Sequence, residues 1–250
     1  MGLFSSIFSA KPKATAAPPP AEGPVSFSVP AQLPKLSATS ATPILKEAGL
    51  KPPERTNTTD TLSTAGCLDS LLKEKKAADS VTFLAHALPQ KDAVHWAAVS
   101  CDAVKDKLSP ADQLAAAACR EWLANPTSAN QALAANAAQQ AEHGGPGAWA
   151  AQAAAWCKGG SAVSPTSGPA AALSPPVGKA VAGCVMLAAA LNKPGVSLPQ
   201  KPSVIADSLP VGESAAKSLV EDPAPSVPAE EYCRLYKPFI DKGIQIAAST

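Results

Sequence analysis

Ten of the 26 prolines fall between residues 12 and 53, and that clustering constrains the fold more than any other feature of the sequence. Each proline fixes φ, removes a backbone donor and disfavours helix at the residue before it. With Ala, Ser and Thr between the prolines and little periodicity, Lys11 to Arg55 lack the apolar area that would offset their ordering entropy. The expectation is a disordered Pro/Ala-rich leader over residues 1–58, acting as a partly polyproline tether. Within it, Pro43 to Leu50 form a short island able to fold into a helical turn on contact with a partner. Residues 59–250 read as a single all-α domain with Pro-rich internal loops near 161–176 and 197–212.

Beyond residue 59 the apolar spacing becomes helical. Asp60 or Ser63 can cap a helix carrying Cys67, Leu68, Leu71 and Leu72, and a second helix carries Val81, Phe83, Leu84 and Ala87 before Leu88-Pro89 stops it. Gln90 to Lys107 place Ala93, Val94, Ala97, Cys101 and Val104 three and four apart. Ser109-Pro110-Ala111-Asp112 is a helix start, with a capping hydroxyl, a preset φ and an acid opposing the dipole. Leu114, Ala118 and Trp122 follow at i, i+4 and i+8 as its expected inward face. Thr127 or Ser128 caps an Ala-rich helix, His143 to Gly147 make a turn, and Trp149, Ala153 and Trp156 share the next face, which Lys158-Gly159-Gly160 ends. Val177, Val181, Cys184, Val185, Ala188 and Leu191 form the most apolar stripe. A helix around Glu213 to Val220 and a last one from Ala229, bent at Pro238, complete the pattern. No alternating β pattern is read anywhere in the sequence. The reading is an all-α, irregular multi-helix bundle of about eight or nine short Ala-rich helices. Alanine supplies 53 of the 250 residues while aromatics are 4%, so the core must be small-residue and closely packed.

Composition also excludes functions. A net charge of +1 gives no global field for polyanions, so no nucleic acid is expected as partner. The longest apolar run, Ala180 to Leu191, is too short to span a bilayer and reads as a core helix. The N-terminus lacks a basic n-region and a continuous h-region, so the expected location is the cytoplasm, peripheral at the inner membrane if the N-terminus touches lipid. Cys67, Cys101, Cys119, Cys157, Cys184 and Cys233 are scattered singly within helical stretches and read as reduced core thiols rather than disulfide or metal ligands.

Few residues offer chemistry. No nucleophile stands beside a base, and His86, His95 and His143 are the only histidines. His95 and Cys101 are spaced poorly for shared chelation. Gly144-Gly145-Pro146-Gly147 is not followed by Lys-Ser/Thr, so it punctuates helices rather than cradling phosphate. No metal and no cofactor are expected. Trp96, Trp149 and Trp156 lie among Ala and Leu, where they fill gaps left by alanine or line a pocket for a small apolar ligand. Leu3, Phe4, Ile7 and Phe8 make an amphipathic hook followed by Lys11 and Lys13, suited to a protein partner or to weak membrane contact.

Six segments, in order, carry a resemblance: Leu88 to Ala98 (LPQKDAVHWAA), Trp122 before Asn125-Pro126-Thr127, Gly147-Ala148-Trp149-Ala150-Ala151, Gly159-Gly160-Ser161, Lys179 to Val185 (KAVAGCV), and Phe239 to Ala247 (FIDKGIQIA). Together they resemble an uncharacterised bacterial domain-of-unknown-function family whose members often lie near type VI secretion genes. The resemblance covers roughly Leu68 to Ala247. The family has no established activity, so it supplies no catalytic residue; it implies an accessory role beside a contractile secretion machine, with a secretion-system component as partner. Asp92, Trp96 and Gly183, which lie in the matched segments, read as fold determinants: a first-turn acid, a ring locking two helices, and a glycine permitting close helix contact. The leading expectation is a non-enzymatic interaction or accessory protein. The alternatives are a small apolar-ligand-binding domain and, third, an enzyme using His95 with a nearby carboxylate.

Overall fold

The computed structural model describes residues 23–36, 38–54, 62–157, 176–193 and 228–249. The helix-start residues act where the sequence puts them. Ser63, Ser109 and Thr127 each accept a hydrogen bond from the backbone N–H three residues on, at Gly66, Asp112 and Asn130. They open α2 (Thr64–Lys73), α5 (Pro110–Ala124) and α6 (Ser128–Gln140). The other helices are α1 (Thr42–Ala48), α3 (Ala77–Ala87), α4 (Gln90–Ala103), α7 (Pro146–Trp156), α8 (Val177–Asn192) and α9 (Ala229–Ala248), with a 3₁₀ turn at Lys105–Lys107. The described residues contain no strand, only one isolated bridge between Ser40 and Ser63, so the chain is an all-α multi-helix fold. The expected helix at 213–220, the Gly159-Gly160 stop and the loops at 161–175 and 197–212 lie outside the described residues.

Two helices form the centre. α7 (PGAWAAQAAAW) is apolar on nearly every side, as a fully surrounded helix must be, and it contacts α4, α5, α6 and α8. α8 contacts α3, α4, α7 and α9, burying Val177, Val181, Cys184, Val185, Ala188 and Leu191, the stripe read from the sequence. Alanine is what lets these axes approach: Ala148, Ala150, Ala151, Ala153 and Ala154 of α7 are all buried. The side chain of Lys107 donates to the carbonyls of Leu191 and Lys193, setting a cation at the C-terminus of α8.

Two expectations are corrected. On α5 the inward face is Asp112, Ala115, Ala116, Cys119 and Trp122, whereas Leu114 is 68% exposed. Small residues make up most of that buried face, and Leu114 lies outside it. The second correction concerns the leader, for residues 23–54 are not a free tether. Val25, Phe27 and Val29 are half-buried while Ser26, Ser28 and Pro30 are exposed, the alternation of an extended strand. This arm lies along α9: Arg234 donates to the Gly23 carbonyl at 2.9 Å, Lys237 sits 5.0 Å from the Phe27 ring centre, and the Lys35 N–H donates to Ala247 O. The Pro43–Leu50 island is α1, folded against α3 of its own chain with Ile44 and Leu45 buried. Gly49, at φ 71°, closes it with its N–H on the carbonyls of Leu45 and Lys46. Prolines spaced several residues apart suit an extended arm, and five alternating residues suffice to bury it.

Candidate functional site

The most constrained polar group is Asp112. Its place in the first turn of α5 suits the dipole of that helix, yet its side chain serves another one: Oδ2 accepts from the Gly147 N–H at 3.1 Å and Oδ1 from the Ala148 N–H at 2.8 Å. These are orphan amides of α7, whose N-cap is Gly145 and which has no capping side chain of its own. The approach leaves no space for a side chain, since a Cβ at Gly145 would lie 2.4 Å from Asp112 Oδ2 and one at Gly147 2.1 Å from Asp112 O. Burial raises the Asp112 carboxyl above the ordinary carboxylate value, and the two amide bonds oppose that shift. With both oxygens occupied by backbone and 2% of the residue exposed, Asp112 is a clamp between two helices rather than an acid facing a substrate.

The histidines are scattered. His95 is exposed on α4, and no carboxylate bonds it among the described residues; nearby Asp92 pairs with Lys35 at 3.2 Å. His143, in the left-handed conformation with Glu142, has its Nε2 2.8 Å from Gln152 Oε1 and stacks edge-on to Trp149. His86 has Nδ1 2.8 Å from Thr82 O and lies under Gly178 of α8, where a Cβ would meet its ring at 2.7 Å. Burial lowers the His86 pKa from its ordinary 6.5, with the Thr82 carbonyl and Glu47 opposing and Lys179 assisting. A depressed base is charged more readily when unfolded, so its contribution is complete above about pH 6.5 and is lost as pH falls through the window below it. The urea midpoint is therefore expected to fall more between about pH 7.5 and about pH 5 for the native chain than for His86→Gln; equal falls would show that His86 is not responsible.

The four tryptophans attend different contacts. Trp96 is fully buried and its Nε1 donates to Phe239 O at 2.9 Å, locking α4 to α9. Trp149 lies on α7 beside His143, with Gly183 of α8 opposite. A Cβ at Gly183 would sit 3.8 Å from the Trp149 ring, an ordinary contact, so the close-approach glycines are Gly145, Gly147, Gly178 and Gly243 rather than Gly183. Trp156 is half-buried at the end of α7. Trp122 is wholly buried, and its Nε1 has no acceptor among the described residues.

All six cysteines are buried and free. Cys101 of α4 and Cys184 of α8 are 3.6 Å apart between sulfurs, and Cys184 also donates to Ala97 O. Burial pushes the thiols of Cys67 and Cys157 up, to about 12 and about 11, and raises those of Cys119, Cys184 and Cys233 as well. The thiolate is the reactive form. Ellman's reagent is therefore expected to label no cysteine of the native chain within minutes and all six in denaturant; prompt labelling of even one native thiol would contradict this burial. Among the described residues no group of three or more His, Cys, Asp or Glu is arranged to hold a metal ion.

The outer surface is more distinctive. Among the described residues the exposed large apolar side chains are Leu114 on α5 and Leu133, 57% exposed, on α6, two helices in contact. α6 (SANQALAANAAQQ) carries no charge and buries only Ala134 and Ala138. Two open grooves flank the arm along α9, one of about 400 Å³ between Phe27, Ser28 and Ile244, the other of about 530 Å³ between Val25, Arg234 and Lys237. The hook residues Leu3, Phe4, Ile7 and Phe8 lie outside the described residues. No helix of the described residues is long and apolar enough to cross a membrane.

Interhelical locks and one uncharged outer helix, α6, mark an alanine-packed, all-α helical domain. The model of a family of unknown function, DUF6931, matches residues 67–203, just over half of the chain, and the chain belongs to that family. The match takes in α3 to α8 with most of α2, and leaves out the arm, α1 and α9. Neither a curated protein nor a solved structure matches the chain.

Proposed function

We propose that this protein is a non-enzymatic helical interaction module, an accessory to a type VI secretion apparatus, that docks a protein partner on the outer side of α5 and α6. The observation that carries the reading is the exposure of Leu114 and Leu133 on adjoining helices, one of which is uncharged throughout. Charge-poor surface with exposed leucine is cheap to desolvate, and exposed alanine lets a partner helix approach closely. The apolar hook at Leu3, Phe4, Ile7 and Phe8 is a second contact, for protein or, weakly, for membrane, joined to residue 23 by a Pro/Ala-rich stretch. The polar groups of the interior and its margin favour this reading over catalysis, because buried Asp112 and Trp96 and half-buried His86 and His143 each have a structural partner.

The test is affinity capture by the full chain from lysate of the organism that carries the gene, beside Leu114→Glu/Leu133→Glu and a chain lacking residues 1–22. Secretion-apparatus proteins are expected to come down with the full chain and to fall at least about tenfold with the double variant, the size of effect expected when hot-spot leucines become charged. The truncated chain should weaken capture less. Equal capture by the native and double-variant chains would remove the α5–α6 face from the reading, and recovery of no secretion component would remove the apparatus.

A further inference from the structure

The arm on α9 carries a sequence property that its fold leaves unused. Pro24-Val25-Ser26-Phe27-Ser28-Val29-Pro30 reads identically in both directions. Its apolar side, Val25, Phe27 and Val29, is turned to the domain, while Ser26 and Ser28 face outward. Between Gly23, held by Arg234, and Lys35, held at Ala247, no backbone hydrogen bond to the rest of the described chain forms along Val25–Val29. An extended segment with unpaired N–H and C=O groups is a template for another strand. The groove of about 400 Å³ runs beside it, walled by Ser26, Phe27 and Ser28 on one side and by Lys237, Asp241 and Ile244 of α9 on the other.

We propose that Val25–Val29 is a self-association strand, which pairs antiparallel with the same strand of a second copy about a two-fold axis through Phe27. Two-fold contacts require a self-complementary surface, and a palindrome supplies it residue by residue. Val25 faces Val29 of the second copy, Ser26 faces Ser28, and Phe27 faces Phe27. Opposite residues of an antiparallel pair project to one side, so both apolar rows stay against their own domains and the serines form one outer row. The terminal prolines lack the N–H needed to extend the ladder, which confines pairing to five residues, about an ordinary strand length, and the two-fold contact, which uses the same edge of both strands, closes at two copies. Lys237 and Asp241 on the groove wall are joined at 2.8 Å, so the wall presents a neutralised pair to the incoming strand.

Charge exchange at the serine row tests this with the full chain. Sedimentation equilibrium of the native protein is expected to show a dimer. Ser26→Lys/Ser28→Lys places like charges opposite each other across the axis, as does Ser26→Glu/Ser28→Glu; each alone should weaken dimerisation by at least about tenfold. An equimolar mixture of the two should recover it. As a second measurement, Ser26→Cys and Ser28→Cys chains should form a disulfide-linked dimer under mild copper oxidation only when mixed, because opposite Cα atoms at about 4.5–5.5 Å suit that bond and the six native cysteines are buried. A monomeric native chain at about 100 μM, in the low-affinity range, would overturn the proposal, and so would a dimer indifferent to the charge pairs. Equal cross-linking of either cysteine chain alone would overturn the antiparallel register.

Discussion

Replacing Gly147 by alanine is expected to lower the stability of this domain by about 3 kcal/mol or more, at the upper end of single-residue effects. The added Cβ would lie 2.1 Å from the carbonyl oxygen of Asp112. That oxygen belongs to the backbone of α5, so no rotamer change relieves the overlap, and α5 and α7 must separate. Separation stretches the bonds from Gly147 and Ala148 to the Asp112 carboxylate, leaving a buried charge without donors. Since α7 touches four other helices, the damage reaches the whole centre of the fold. Urea unfolding followed by circular dichroism should show the midpoint reduced by more than about 1 M, taking a slope near 2 kcal/mol per M. Asp112→Asn keeps the volume and one acceptor and should fall by less, about 1–2 kcal/mol. A midpoint for Gly147→Ala close to that of the native chain would mean that the two helices are not in this contact.

Gly243→Ala is the second large effect. Its Cβ would lie 2.7 Å from Leu84 Cδ2 and 2.7 Å from the Trp96 ring. Leu84 can turn aside at some cost, but Trp96 is enclosed and pinned by its bond to Phe239, one turn earlier on the same helix. The outcome expected is displacement of α9 and a loss of about 2–3 kcal/mol. Because the clash is with a ring, Trp96→Phe should make Gly243→Ala less costly than it is in the native background. A double-mutant cycle reads that coupling directly, and strict additivity would show that the ring is not the obstacle.

Much of the fold was legible because its signals are local. Ser63, Ser109 and Thr127 bind amides three residues away, and the stripe from Val177 to Leu191 repeats at helical spacing, so each can be read from one short window. Leu114 has the spacing to Trp122 of one helical face, but which face of α5 is buried depends on the helices that surround it, and the buried one carries Asp112, Ala115, Ala116, Cys119 and Trp122. The arm is hard to read locally because the density of prolines outweighs five alternating residues, Val25 to Val29, the one local signal of its extended course. The role of Asp112 could not be read locally. The available cue was an absence, a helix beginning Gly-Pro-Gly with no capping side chain of its own, and its partner lies 35 residues away.

The sequence by itself determined that the chain is helical, where most helices begin, that alanine and thiols contribute heavily to its core, and that its net charge is only +1. Those properties follow from caps, periodicity and composition, which act over a few residues or over the whole chain at once. Tertiary structure alone decided which amides Asp112 satisfies, which glycines cannot carry a side chain, which leucines face outward, and that a proline-rich arm lies along α9. Each of these depends on the distance between surfaces remote in sequence, and that distance is set by the packing of the entire bundle.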